Sequence, residues 1–169
     1  MVASENQLPD FRALVFHYKG YVYNLAYRIL GNSDDAGDAV QETFLKLYKN
    51  RNNYNKQKNI KNWICTIAIN ASKDIYRQKK RRKTWELFDD TKMPDGGSAP
   101  EEGMSDKLFI SEILNALSLN QRTAMVLFYI ERKTIKDISS IMKRPEPLIK
   151  VWLFRSRKLL LEKFGHAFA

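Results

Sequence analysis

From Phe11 to Leu30 the apolar residues Phe11, Leu14, Tyr18, Val22, Leu25, Ala26 and Ile29 fall three or four positions apart, and Gly31 follows where a helix closes on a left-handed residue. No stretch of the chain sustains the in-and-out alternation of a half-buried strand, and glycine and proline are few. The spacing therefore predicts an all-α protein. Its 169 residues, 44% of them apolar, are enough for one packed domain or two small ones.

Asn32 and Ser33 can cap a second helix running to about Lys49, with Asp34 and Asp35 in the first turn, where the helix dipole favours negative charge. Its core stripe is Ala36, Val40, Thr43, Phe44 and Leu47, which leaves Asp35, Asp38, Glu42 and Leu45 facing outward. Residues 51–59 are polar, asparagine-rich and without period, as a loop would be. Asn59 then caps a third helix from Ile60 to about Arg82, which turns Ile60, Trp63, Ile64, Ile67, Ala68, Ala71 and Ile75 inward. On its other side Thr66, Asn70, Lys73 and Arg77 form one solvent-facing strip of polar and cationic groups, suited to lying along a nucleic-acid strand.

Residues 84–106 are acidic and rich in turn formers, including Pro94-Asp-Gly-Gly-Ser98 and Pro100-Glu-Glu-Gly103, and read as a flexible linker in which Trp85, Leu87 and Phe88 can still dock on a neighbour. Four further helical segments follow, 107–117, 120–131, 134–142 and 147–164. The last two have the form of a helix-turn-helix, with Ile135, Ile138 and Ile141 on the first helix and a break at Pro145. The second helix carries Ile149, Leu153, Ser156 and Leu160 on its inner face and Lys150, Val151, Phe154, Arg155 and Lys158 on its outer face. The whole is two small helical domains, 8–83 and 107–164, joined by the linker.

Charge is segregated along the chain. Between Lys46 and Lys83 stand thirteen lysines and arginines and one acid, Asp74, directly after the acidic second helix, and the net charge is +10. Nearly unopposed positive charge costs folding free energy through self-repulsion, so blocks of this kind point to phosphate backbones, while the acidic ridge suits a basic protein partner. No apolar run approaches the roughly 20 residues of a membrane span, and no secretory signal opens the chain, which implies a soluble, intracellular protein. One cysteine, Cys65, cannot form an internal disulfide and reads as a small packing residue; with only two histidines beside it, no metal site or cofactor is expected.

The run Asp35-Ala-Gly-Asp-Ala-Val-Gln-Glu-Thr-Phe44 resembles the region 2.2 segment of bacterial sigma factors of the extracytoplasmic-function (ECF) group, commonly Asp-Ala-x-Asp-x-Val-Gln-Glu-Thr-Phe. Residues 60–70, followed by Arg77 and the basic run 79–83, are similar to that family's region 2.4 helix, and residues 117–160 to its region 4. Region 4 departs from the family's pattern: Lys143 stands where glycine is usual, Pro147-Leu148 where Gly-Thr is usual, and Val151-Trp152 replace a Ser-Arg pair.

The resemblance implies a cytoplasmic factor that binds RNA polymerase core and promoter DNA together, catalysis belonging to the polymerase. Asp35, Asp38, Gln41, Glu42 and Leu45 would dock on the coiled coil of the largest subunit, region 4 on the flap of the second-largest. Tyr54, Lys56, Lys58 and Lys61 would capture a flipped minus-10 base, the tyrosine by stacking and the lysines through phosphates, while Asn70, Lys73, Asp74 and Arg77 contact the same strand. Asp74 can accept from a cytosine or orient Arg77. In the minus-35 major groove the resemblance places Lys150, Val151, Phe154, Arg155, Arg157 and Lys158, whereas Trp152 reads as packing. It also implies an anti-sigma partner. A free-standing helix-turn-helix regulator would account for residues 107–169 but leave the acidic helix and the Asn70 strip unexplained; a helical RNA-binding protein is a second rival. An enzyme is least supported, because no phosphate loop, metal cluster or paired nucleophile and base stands out.

Overall fold

In the computed structural model, which describes residues 10–55, 59–86 and 112–165, the chain is helical throughout and no strand occurs among those residues. Helix α1 spans Phe11–Leu30, α2 Ser33–Lys49 and α3 Ile60–Glu86. After residues 112–115, also helical, come α4 (Leu119–Met125, continued by a π-helical turn, Val126–Ile130), α5 (Ile135–Met142) and α6 (Glu146–Phe164).

Local chemistry sets most helix ends. Gly31 closes α1 at φ 81°, a left-handed conformation that spares glycine a Cβ clash. The Asn32 side chain accepts from the Asp35 N–H at 2.9 Å, and Asn59 accepts from the Lys61 N–H at 2.8 Å, so both expected caps are present. Thr134 and Asp137 cap α5 reciprocally, as Ser118 and Gln121 cap α4. Pro147 sits in the first turn of α6, where its missing N–H leaves nothing unpaired. Helix α3 runs three residues further than the expected linker boundary, through Glu86, since neither proline nor glycine stops it before Pro94.

Helices α1, α2 and α3 pack on one another around Val22, Leu25, Ile29, Leu47, Ile64 and Ile69, all fully buried. The second unit is built on Leu127, Ile138, Ile149 and Leu153. These residues belong to one continuous apolar cluster, because α5 lies against α3 and α4 against α1. Polar contacts reinforce that seam: Arg122 Nη1 donates to the Ile29 carbonyl at 2.8 Å, Nη2 donates to the Leu117 carbonyl at 3.3 Å, and Lys133 Nζ donates to Asn62 Oδ1. Arg122 thus places a cation on the last turn of α1, where the dipole and the unpaired carbonyls favour it.

Candidate polymerase and nucleic-acid interfaces

The acidic face of α2 is split by its surroundings. Asp38, Gln41 and Leu45 are exposed, Leu45 by 55%, and line an open groove of about 460 Å³ between α2 and α3 with Glu42, Lys46, Ala71, Asp74, Ile75 and Gln78. Asp35, expected outward, instead turns to the cationic helix. Lys79 Nζ lies 2.9 Å from its Oδ2, Asn32 donates to the same oxygen at 2.7 Å, and the Asp35 side chain is only 15% exposed. Burial by itself would raise this carboxyl, but the Lys79 and Asn32 hydrogen bonds outweigh it and hold it below the usual carboxylate range. Glu42 is half-buried and pairs with Lys46 at 3.3 Å, one turn along α2. The ridge therefore keeps Asp38, Gln41 and Leu45 accessible, while Asp35 ties α2 to α3.

Lys46, which sequence reasoning did not assign, is the hinge of this arrangement. It also donates to Asp74 on α3 at 3.2 Å, closer than the 3.9 Å that separates Asp74 from Arg77. Neither role foreseen for Asp74 describes it fully, since its nearest partner is a cross-helix lysine. The i,i+4 spacing of Glu42 and Lys46 was a visible signal; the reach from Lys46 to Asp74 was not.

The α3 strip is likewise divided. Asn70 and Arg77 are exposed, as expected. Thr66 is half-buried, and its hydroxyl donates back to the Asn62 carbonyl at 2.8 Å. Lys73 is only 7% exposed; burial, with Arg77 and Arg144 nearby, pushes its ammonium down to about 8. It is not part of a solvent-facing strip: Asn70 and Arg77 stay outward, while Lys73 is buried with Arg144 of the second unit nearby. Tyr54, expected to be available for stacking, is 8% exposed and packs on Trp63 with ring centroids 5.1 Å apart. Lys61 is exposed, its Nζ 4.6 Å from the centre of the Tyr21 ring. Lys56 and Lys58 lie outside the described residues, as do Leu87 and Phe88. Cys65 is buried, and burial pushes its thiol up, which suits packing rather than thiolate chemistry.

In the second unit, α5 and α6 meet through Lys143, Arg144 and Pro145. Lys143, where the family's pattern has glycine, adopts φ 51°, the left-handed conformation that glycine would enter freely. Ile149, Leu153 and Ser156 of α6 are buried, and Trp152 packs against the core as expected. Lys150, Val151, Phe154, Arg155, Arg157 and Lys158 are exposed together on the outer side; Arg157 Nε also donates to the Leu153 carbonyl at 3.1 Å. Among the described residues no group of three metal-ligating side chains converges, and no helix is long and apolar enough to cross a membrane.

A three-helix unit with an acidic groove, followed by a helix-turn-helix with a cationic outer face, defines an all-helical DNA-binding protein with a separate face for a protein partner. Comparison with known proteins narrows this class. The family model for sigma-70 region 2 matches residues 14–82, and that for sigma-70 region 4 matches residues 110–160. The chain is similar to the ECF RNA polymerase sigma factor SigW of Bacillus subtilis, at 27% identity over 89% of this chain and 86% of that protein. It is also similar to SigM of the same organism, at 29% identity over 85% of this chain and 88% of that one. The fold matches the sigma factor RpoE of Bartonella quintana, solved in complex with the anti-sigma factor NepR, with a TM-score of 0.70, 23% identity, and coverage of 92% of this chain and 96% of that one. The chain belongs to the sigma-70 family, in its ECF group, and its function is that of a sigma factor in transcription initiation. Similarity that runs through both helical units removes the case for a free-standing regulator.

Proposed function

We propose that this sigma factor docks on RNA polymerase core through the exposed centre of α2, Asp38, Gln41 and Leu45, with Glu42 at its margin and Asp35 acting as a brace. A basic coiled coil of the largest subunit fits here: carboxylates at the rim accept from arginines while Leu45 enters the contact, and the groove floor beside Ile75 receives an apolar side chain. The observation that carries this reading is the survival of an accessible carboxylate, Asp38, and an exposed leucine beside a groove whose other acids, Glu42 and Asp74, are already paired with Lys46.

Residues 8–83 then serve core and the minus-10 element, 84–106 the connection, and 107–164 the minus-35 element and the polymerase flap. Asn70 and Arg77 contact the opened strand directly, and Asp74 holds Lys46 while they do so. Lys73 joins them only when α5 separates from α3, and Tyr54 helps by supporting Trp63 rather than by stacking freely. Lys56, Lys58 and Lys61 supply phosphate contacts. The protein contributes no catalysis of its own, works in the cytoplasm with polymerase, needs no cofactor, and is held in check by an anti-sigma factor that covers the same faces.

In a reconstituted transcription assay with core polymerase, Asp38→Lys should abolish initiation and core binding while the full-length protein still binds duplex promoter DNA. Unchanged core binding would remove α2 from the docking role. Asn70→Ala should impair promoter melting more than core binding; equal loss of both would show that α3 is misassigned.

A further inference from the structure

The outer face of α6 is divided into an apolar centre and a cationic border. At about 100° per residue, Val151 lies some 200° around the axis from Ile149, opposite the buried line of Ile149, Leu153 and Ser156. Leu148, Val151 and Phe154 are exposed by 36%, 39% and 65%, and none of their side chains can donate or accept a hydrogen bond. Lys150, Arg155 and Lys158 surround them, all exposed.

We infer that α6 reads the minus-35 element through thymine methyl groups, with Val151 and Phe154 as the residues that set the preference. The inference rests on the proposed docking of α6 in the major groove and names the chemistry it recognises there. The major groove is wide enough for a helix, and thymine alone among the four bases presents a C5-methyl group in it. A helix-turn-helix approaches base edges with the first turns of its second helix, where Leu148 and Val151 stand. Purine recognition needs bidentate partners such as arginine, lysine or asparagine, and these stand only at the border of the face, while Leu148, Val151 and Phe154 at its centre offer none. The surrounding cations complement the phosphates and fix the helix in the groove without selecting sequence.

The test uses the full-length protein assembled with core polymerase on a promoter selected from a random library. Each thymine of the upstream element is replaced in turn by deoxyuridine, which removes one methyl and keeps base pairing. At one or more positions binding should weaken roughly fourfold, the effect of exposing one buried carbon. Val151→Ala or Phe154→Ala should then erase that sensitivity at its own position. Uridine tolerated everywhere within twofold, while Lys150→Ala and Arg155→Ala still weaken binding, would overturn the methyl readout and leave the DNA-binding role of α6 standing. Uridine sensitivity that persists in both alanine variants would overturn the choice of residues. If Lys150→Ala and Arg155→Ala leave the strength of binding to the upstream element unchanged, α6 is not the DNA-binding helix and both readings fall.

Discussion

Lys73 offers a sharp measurement. It is 7% exposed, and burial together with the Arg77 and Arg144 cations lowers its ammonium from 10.5 to about 8. At about 1.4 kcal/mol per pH unit, keeping it charged at neutral pH costs the folded chain about 3 kcal/mol, an upper figure because a lysine stem can extend toward water. Methionine keeps the apolar length and removes the charge, so Lys73→Met should raise the unfolding free energy by about 1–3 kcal/mol at pH 7. The pH dependence has a definite sign. The folded value lies below the unfolded one, so between about 8 and 10.5 the unfolded chain holds a proton the folded chain has released, and parent stability rises with pH across that window. The margin of the variant is therefore full below the window and vanishes above it. Urea unfolding of parent and variant, followed by circular dichroism at pH 7 and pH 10, measures both margins. A variant no more stable than the parent at pH 7, or one that keeps its margin at pH 10, refutes the reasoning.

Three other perturbations have defined outcomes. Lys143→Gly should stabilise the chain by about 1 kcal/mol in thermal or urea unfolding, because the left-handed φ of 51° strains a residue with a Cβ. Arg122→Met should destabilise it by about 2 kcal/mol, since the buried Ile29 and Leu117 carbonyls lose their donor, and amide exchange at the end of α1 should accelerate. Asp35 is held below its usual 3.8, so its contribution is present above that value and lost as pH falls through the folded one; Asp35→Asn should flatten the acid limb of the stability profile.

Much of the architecture can be read locally. The period of Phe11 to Ile29, Gly31 behind it and the Asn32 and Asn59 caps are local features, and each stands where the residues say it should. The same holds for α6, whose buried side meets two neighbours, α4 and α5, both within the preceding thirty residues. The α2 face was legible only in part: Asp38 and Leu45 are outward as expected, but Asp35 is not.

Periodicity and capping residues determined that this is a helical protein, where most of its helices begin, and which stripe of each turns inward, because backbone hydrogen bonding and capping are short-range; they did not determine where α3 ends or the π-helical turn after Met125. Tertiary structure alone decided the fate of the remaining faces. Asp35 meets Lys79, Lys46 meets Asp74, Trp63 packs on Tyr54, and Lys73 is buried with Arg144 of the second unit nearby. A helical stripe is outward only until a distant segment packs on it, and the free energy of that packing comes from apolar area and cross-chain charge, which no local spacing records.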